Sequence, residues 1–311
     1  MAAHVPKATL YAFSPGSVWS APAVLTAKEK GYKPEELEYR TVDLPKGENF
    51  SPAFLRINPE GHVPVLVVPY AHTVEDGIQT KFKAICGSVA VTEFLDTATL
   101  RSSTHPAPSL SPATVERASR QKEILEFIHK ADVDPNMLML SCRDEAEGKQ
   151  KLEGMAGGFL KGRQEALERY AAEVGDSDSK LKEFYAKKIA ENAGLLKSYE
   201  GAGAAADLHK SSTALWKSIA KTLSVLESKF EPNAVFLVGD EISLADIHVG
   251  AWLARILAVS GAQSISDIPA ALRKLEENLP EGAKVGPKVS KFAEALFERD
   301  SFKEVYEGGF H

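Results

Sequence analysis

The tightest constraint on this chain lies in residues 54–68, where a turn runs straight into an apolar segment. Asn58-Pro59-Glu60-Gly61 is turn chemistry, because proline presets φ and glycine accepts a positive φ. The segment behind it, Val63-Pro64-Val65-Leu66-Val67-Val68, is long enough for one central, buried strand. Pro64 cannot donate a ladder hydrogen bond, so the strand is expected to begin at that residue. A proline that enters a sheet from a tight turn is also a candidate for a cis peptide bond.

The rest of the first hundred residues arranges itself around that strand. Residues 8–13 are short and β-rich, and Ser14-Pro15-Gly16-Ser17 breaks them. A helix is expected from about Trp19 to Lys30, with Pro22 tolerated in its first turn and Gly31 as its stop. Residues 38–43 alternate as a second strand, and Ser51 with Pro52 opens a short helix. Residues 81–85 are the expected fourth strand, and residues 89–96 a helix with an apolar face. The resulting order is β-α-β-α-β-β-α.

Residues 101–112 are rich in Pro and Ser and read as a linker. Everything beyond is helical in pattern. Ile124, Leu125 and Ile128 fall on one face of a segment spanning residues 113–130, and residues 215–226 repeat the rhythm. Residues 247–259 are apolar nearly all round, the pattern of a buried central helix. Just before it, Ser243 and Asp246 stand three apart as a capping box, with Ile242 and Ile247 spaced for a hydrophobic staple. These residues are read as serving stability. Residues 142–211 are charged, rich in Ala and Gly, and helix-prone. Three roles are open for them: a pocket wall, an oligomer contact, or a solvated helical hairpin.

Bulk properties remove several classes of function. With 311 residues and 44% apolar content there is ample material for a sizeable core. The net charge of -6 is spread along the chain, which argues against a nucleic-acid surface or membrane electrostatics. Two cysteines imply no disulfide framework and a reducing compartment. The first residues lack an apolar core of signal-peptide length, and no window approaches a membrane span, so a cytoplasmic location is expected. Cys86 is expected to be a buried small hydrophobe, and Cys142 to lie exposed in an irregular region. The histidines are scattered without metal-ligand spacing, so no metal is expected. Phosphate-binding loops, nucleophile elbows and HExxH motifs are absent.

Asn58-Pro59-x-Gly61-x-Val63-Pro64-x-Leu66 resembles the loop before the third strand of the thioredoxin-like domain of glutathione transferases. The segment from Leu237 to Asp246 resembles the helix-starting motif of the helical domain in the same family. The resemblance implies an α/β thioredoxin-like domain over residues 1–100 and a linker over 101–112. It implies an all-α bundle over 113–311, with an extra helical insertion at about 142–211. It also implies a cis Val63–Pro64 bond, with the Val63 backbone pairing the cysteinyl backbone of glutathione by strand addition. Ser88, at a helix N-terminus, would meet the γ-glutamyl carboxylate. Gly87 stands where the family carries an acidic residue or glutamine, which weakens a contact to the tripeptide's ammonium end. His62 occupies a position where the family often has Lys or Arg. It is either a contact to the glycyl carboxylate or a solvated turn histidine.

In such proteins a hydroxyl or a cysteine at the end of the first strand handles the thiol. An unperturbed thiol, with a pKa near 8.5, is only a few per cent ionised at pH 7. The segment here has no cysteine, which disfavours a mixed-disulfide mechanism. Ser17 is the favoured thiolate-stabilising residue and Ser14 the runner-up, with Tyr11 packed in the sheet. The resemblance thus implies a serine-type transferase, of a fungal-type branch, that uses glutathione as co-substrate. A small hydrophobic electrophile would bind between the domains and be conjugated or cleaved, and the chain would form a homodimer. Two alternatives stand beside it. One is an assembly module like that of the gamma subunit of eukaryotic elongation factor one. The other is a glutathione-dependent etherase or isomerase.

Overall fold

The computed structural model describes residues 8–14, 16–69, 82–98, 107–175, 178–199 and 202–311, with the backbone alone for 202–204. Residue 81 of the expected fourth strand and residues 101–106 of the linker lie outside these. Four strands form one mixed sheet: β1 (Ala8–Ala12), β2 (Leu37–Thr41), β3 (Val65–Pro69) and β4 (Phe82–Cys86). Their order is β2-β1-β3-β4, with β1 parallel to β2 and the other pairs antiparallel. Alternation along the strands divides the side chains between two faces. Leu10, Leu37 and Leu66 join Leu25 of α1 (Ala21–Glu29) and Val91 and Leu95 of α3 (Ser88–Thr97) in the main core. Val65, on the other face, packs with Val42 and with Phe54 of the short α2 (Pro52–Leu55). The Ser51 hydroxyl accepts the Phe54 N–H, as its capping role requires.

Ten helices follow among the described residues. These are α4 (Val115–Ile128), α5 (Pro135–Leu140), α6 (Glu145–Glu153), α7 (Met155–Val174), α8 (Ser179–Lys197), α9 (Ala202–Lys229), α10 (Leu244–Val259), α11 (Ile268–Asn278), α12 (Pro287–Phe297) and α13 (Asp300–Val305). The expected central helix is α10, buried on all sides from Leu244 to Leu257. None of the described helices is long and apolar enough to cross a membrane.

Two polar devices tie the sheet to the helices. The buried pair Lys30–Asp96 sits at 3.0 Å. Asp96 also accepts the Leu110 N–H, Lys30 donates to the Pro108 carbonyl, and the Leu110 carbonyl accepts from Leu244 at the start of α10. At the same end of α1, Glu29 takes two hydrogen bonds from Arg299, at 2.8 and 2.7 Å.

Both cysteine expectations are reversed. Cys86 is exposed, because β4 is an edge strand and most of its side chains are uncovered. Cys142 is buried, because α6 and Tyr199 close over it.

The capping box forms as its spacing demands, and Asp246 does more than cap. It is wholly buried, accepts the N–H of Ser243 at 2.8 Å, and accepts the Leu237 N–H of the preceding loop at 2.8 Å. Asp246→Ala would strand both donors, each costing on the order of 1–3 kcal/mol when buried and unpaired. A loss of about 3 kcal/mol or more is expected in urea denaturation, against about 1 kcal/mol for Ser243→Ala.

Candidate functional site

The strand register brings the sequence-predicted residues together at one end of the sheet. Tyr11 lies opposite Val65, and Val65 lies opposite Cys86. The chain leaving β1, the chain entering β3 and the chain leaving β4 therefore meet at the same edge. There the Val63–Pro64 bond is cis, and the Gly87 N–H donates to the Pro64 carbonyl at 3.3 Å.

The turn before Val63 is held by amides. Asn49 donates to the Gly61 carbonyl at 2.7 Å and Asn58 to the His62 carbonyl at 2.8 Å. The strand pairing begins only at Val65. Among the described residues, no group claims the Val63 N–H or carbonyl. An extended peptide can pair with such an open stretch of main chain. Beside it, Gly87 caps α3 with φ at +91°, a conformation that suits glycine, and places the buried Ser88 in the first turn.

Ser17 stands in the turn that opens α1. Its N–H donates to the Phe13 carbonyl at 2.7 Å, and its Oγ accepts the Ser20 N–H at 3.3 Å. Among the described residues nothing accepts the Ser17 hydroxyl proton, which leaves it available to a ligand. Ser20 is fully buried and accepts the Phe13 N–H, a structural role. Ser14 lines a different cleft, between β2 and α13, with Tyr39, Thr41 and Val305. Tyr11 lies edge-on to Phe54 and accepts from Arg40, so it belongs to the sheet. His62 is exposed at the rim of the site.

Two features of the site came from residues not singled out above. Arg255, buried in α10, reaches out of the helical domain and donates to the Gly16 carbonyl at 2.6 Å, one residue before Ser17. Its other guanidinium nitrogen meets Met139 Sδ of α5. A single arginine inside a largely apolar helix was the available signal. The second feature is a buried chain of polar groups. The Thr92 hydroxyl donates to the Val89 carbonyl at 2.9 Å, so it accepts from His248 Nε2 at 3.1 Å. His248 Nδ1 must then accept from His129 Nε2, at 2.9 Å. His129 in turn stacks on Trp19, with ring centroids 4.0 Å apart. The chain runs from the α1 turn through the helical domain to α3, which carries Ser88.

With this geometry in place, comparison with known proteins is decisive for the family. Residues 16–98 match the glutathione S-transferase N-terminal domain, and residues 209–300 match the glutathione S-transferase C-terminal domain. The chain belongs to the cytosolic glutathione S-transferase superfamily. A "Glutathione S-transferase 1" of Dianthus caryophyllus is 45% identical over 62 residues, 20% of this chain and 26% of that protein. The match thus spans about a quarter of the curated relative's length. The beta-etherase LigF of Sphingobium sp. strain SYK-6 superposes with a TM-score of 0.54 at 18% identity, over 97% of this chain and 99% of that one. A glutathione transferase homolog from Sulfitobacter with bound glutathione gives 0.50 at 15% identity, over 98% and 99%. At these identities the likeness to the solved structures is one of fold. Helices α6 to α8 lie between the two matched segments.

The histidine chain generates a pH dependence. Burial pushes His129 down to about 4, and burial followed by the neighbouring His129 pushes His248 well below its ordinary value. The unfolded chain takes up these protons near pH 6.5, and the folded chain resists them until far lower pH. Stability is therefore complete above about pH 6.5 and falls as the pH drops towards 4. Thermal unfolding is expected to show Tm falling across that window. His248→Gln should lower Tm at pH 7 but reduce its acid slope. For the loop anchor, Arg255→Met is expected to free the Gly16 carbonyl and loosen the turn behind it, seen as faster amide hydrogen exchange at Ser17 and Ser20 than in the wild-type protein.

Proposed function

We propose that this protein is a serine-type glutathione transferase. It would bind glutathione along Val63, stabilise its thiolate with Ser17, and deliver the sulfur to a hydrophobic electrophile. The observation that carries the reading is the Ser17 hydroxyl. Its proton is unclaimed, and it stands in the turn before α1, where the chain leaves β1 at the sheet edge at which β3 enters. Ser88 and the N-terminus of α3 would receive the γ-glutamyl carboxylate. The Ser17 hydroxyl and the positive end of α1 then face the cysteinyl sulfur. Together such groups lower a thiol pKa by roughly one to two units, which raises the thiolate at pH 7 from a few per cent towards half or more. No base is needed, because the proton leaves to solvent once the thiolate is stabilised.

The electrophile would lie where the turn from Gly16 to Trp19 faces α4, α5 and α10. Apolar and aromatic groups meet there, with Trp19 against His129 and Met139 against Arg255. Sites between two domains suit small apolar ligands.

The test combines calorimetry with thiolate absorbance against pH, on the wild-type protein, Ser17→Ala and Ser14→Ala. The reading expects glutathione to bind with a lowered thiol pKa that returns towards 8.5 in Ser17→Ala only. Conjugation of a model electrophile would fall by on the order of a hundredfold in that variant. A pKa that rises in Ser14→Ala instead would move the role to Ser14. Failure of the wild-type protein to bind millimolar glutathione would favour an assembly module. Product analysis separates conjugation from ether cleavage and isomerisation.

A further inference from the structure

Helices α7 and α8 form a hairpin that docks on the thioredoxin-like half instead of standing free in solvent. Leu167 and Tyr185 share a buried cluster with Phe50 and Leu55, and the Tyr185 hydroxyl donates to the Phe50 carbonyl at 2.7 Å. The approach is close. A Cβ on Gly162 would lie 2.6 Å from the Pro45 carbonyl oxygen, and one on Gly47 would lie 2.4 Å from the Ala166 Cβ. A serine or alanine at Gly162 would push the hairpin away.

The hairpin carries Arg163 into this contact. Its guanidinium stacks at 4.9 Å over the Phe50 ring. The same ring packs against Gly61, where a Cβ would come within 3.2 Å of it. Arg163 is thus one aromatic ring away from Gly61, His62 and Val63. Its Nε is buried with no partner, and among the described residues the side chain has neither an ion pair nor a hydrogen bond. A half-buried guanidinium without a partner is unfavourable, whereas its planar fork matches a carboxylate bidentately. Lys188 of α8 lies in the same neighbourhood and pairs with Glu191 at 3.1 Å. Burial and then the charge of Lys188 push the His62 pKa down, Glu60 opposes them, and Arg163 adds to the lowering. Glu191 also lies near Arg163, but it is already shared between Lys188 and Lys187.

Glutathione carries one carboxylate at each end, separated by roughly 10 Å when extended. With the γ-glutamyl end at Ser88 and the cysteinyl backbone along Val63, the second carboxylate emerges on the side of Gly61 and His62. We propose that the α7–α8 hairpin completes the glutathione site, with Arg163 and, beside it, Lys188 receiving the glycyl carboxylate. This rests on the transferase reading above. Arg163 and Lys188 fall outside both segments that match the family.

The test compares glutathione with γ-glutamylcysteine, which lacks the glycyl carboxylate, by calorimetry. The wild-type protein is expected to prefer glutathione by tenfold or more. Arg163→Gln should weaken glutathione about tenfold, leave γ-glutamylcysteine unchanged, and so remove the preference, with Arg163→Lys recovering part of it. Lys188→Gln should show a loss of the same kind and keeps the inference testable if Arg163→Gln does not fold. Unchanged glutathione affinity in both folded variants, or equal losses for both ligands, overturns the inference and leaves the transferase reading intact. A wild-type protein that binds neither thiol overturns both.

Discussion

Helix α10 is buried along nearly its whole length, and this single fact organises much of the molecule. An apolar helix in that position needs no partners beyond packing, but this one carries four polar side chains, and each must be satisfied where water cannot reach. Asp246 turns back to the loop at Leu237. His248 reaches Thr92 of α3 and His129 at the end of α4. Trp252 donates to the Val133 carbonyl before α5, and Arg255 extends to the Gly16 carbonyl. The five bonds point to five different parts of the chain. Meeting the hydrogen-bonding needs of one helix therefore fixes the placement of the α1 turn, which carries Ser17, and of α3, which carries Ser88.

This explains what could be read from the sequence and what could not. The cis Val63–Pro64 turn, the Ser51 cap and the Ser243–Asp246 box depend on residues a few positions apart, so local chemistry identifies them. The open main chain of Val63 follows from the same short stretch. Arg255 and Gly16 are separated by 239 residues, and His129 and His248 by 119. No local pattern specifies such pairs, although a charge and a histidine within an apolar run mark where to look. The cysteines were misjudged for a related reason. Whether a strand lies at the edge of its sheet decides the exposure of Cys86, and strand order is a tertiary property.

The segment between residues 142 and 211 shows the same limit from another side. Composition identified its helices, but a charged, alanine-rich surface is equally compatible with solvent and with a neighbour. The deciding residues are Leu167 and Tyr185, which complete a cluster begun by Phe50 and Leu55 on the other half. The segment is thereby packed against the thioredoxin-like half.

The link between Glu29 and Arg299 has a consequence for how the protein is made. Arg299, which α1 needs for its buried carboxylate, is synthesised 270 residues after Glu29. Leu244, which receives the chain returning from Asp96, arrives some 130 residues after Leu110. On the ribosome, the thioredoxin-like half would emerge with an apolar flank and a carboxylate still waiting for partners encoded far downstream. Its completion must wait for the helical half, and until then the nascent first half is open to aggregation.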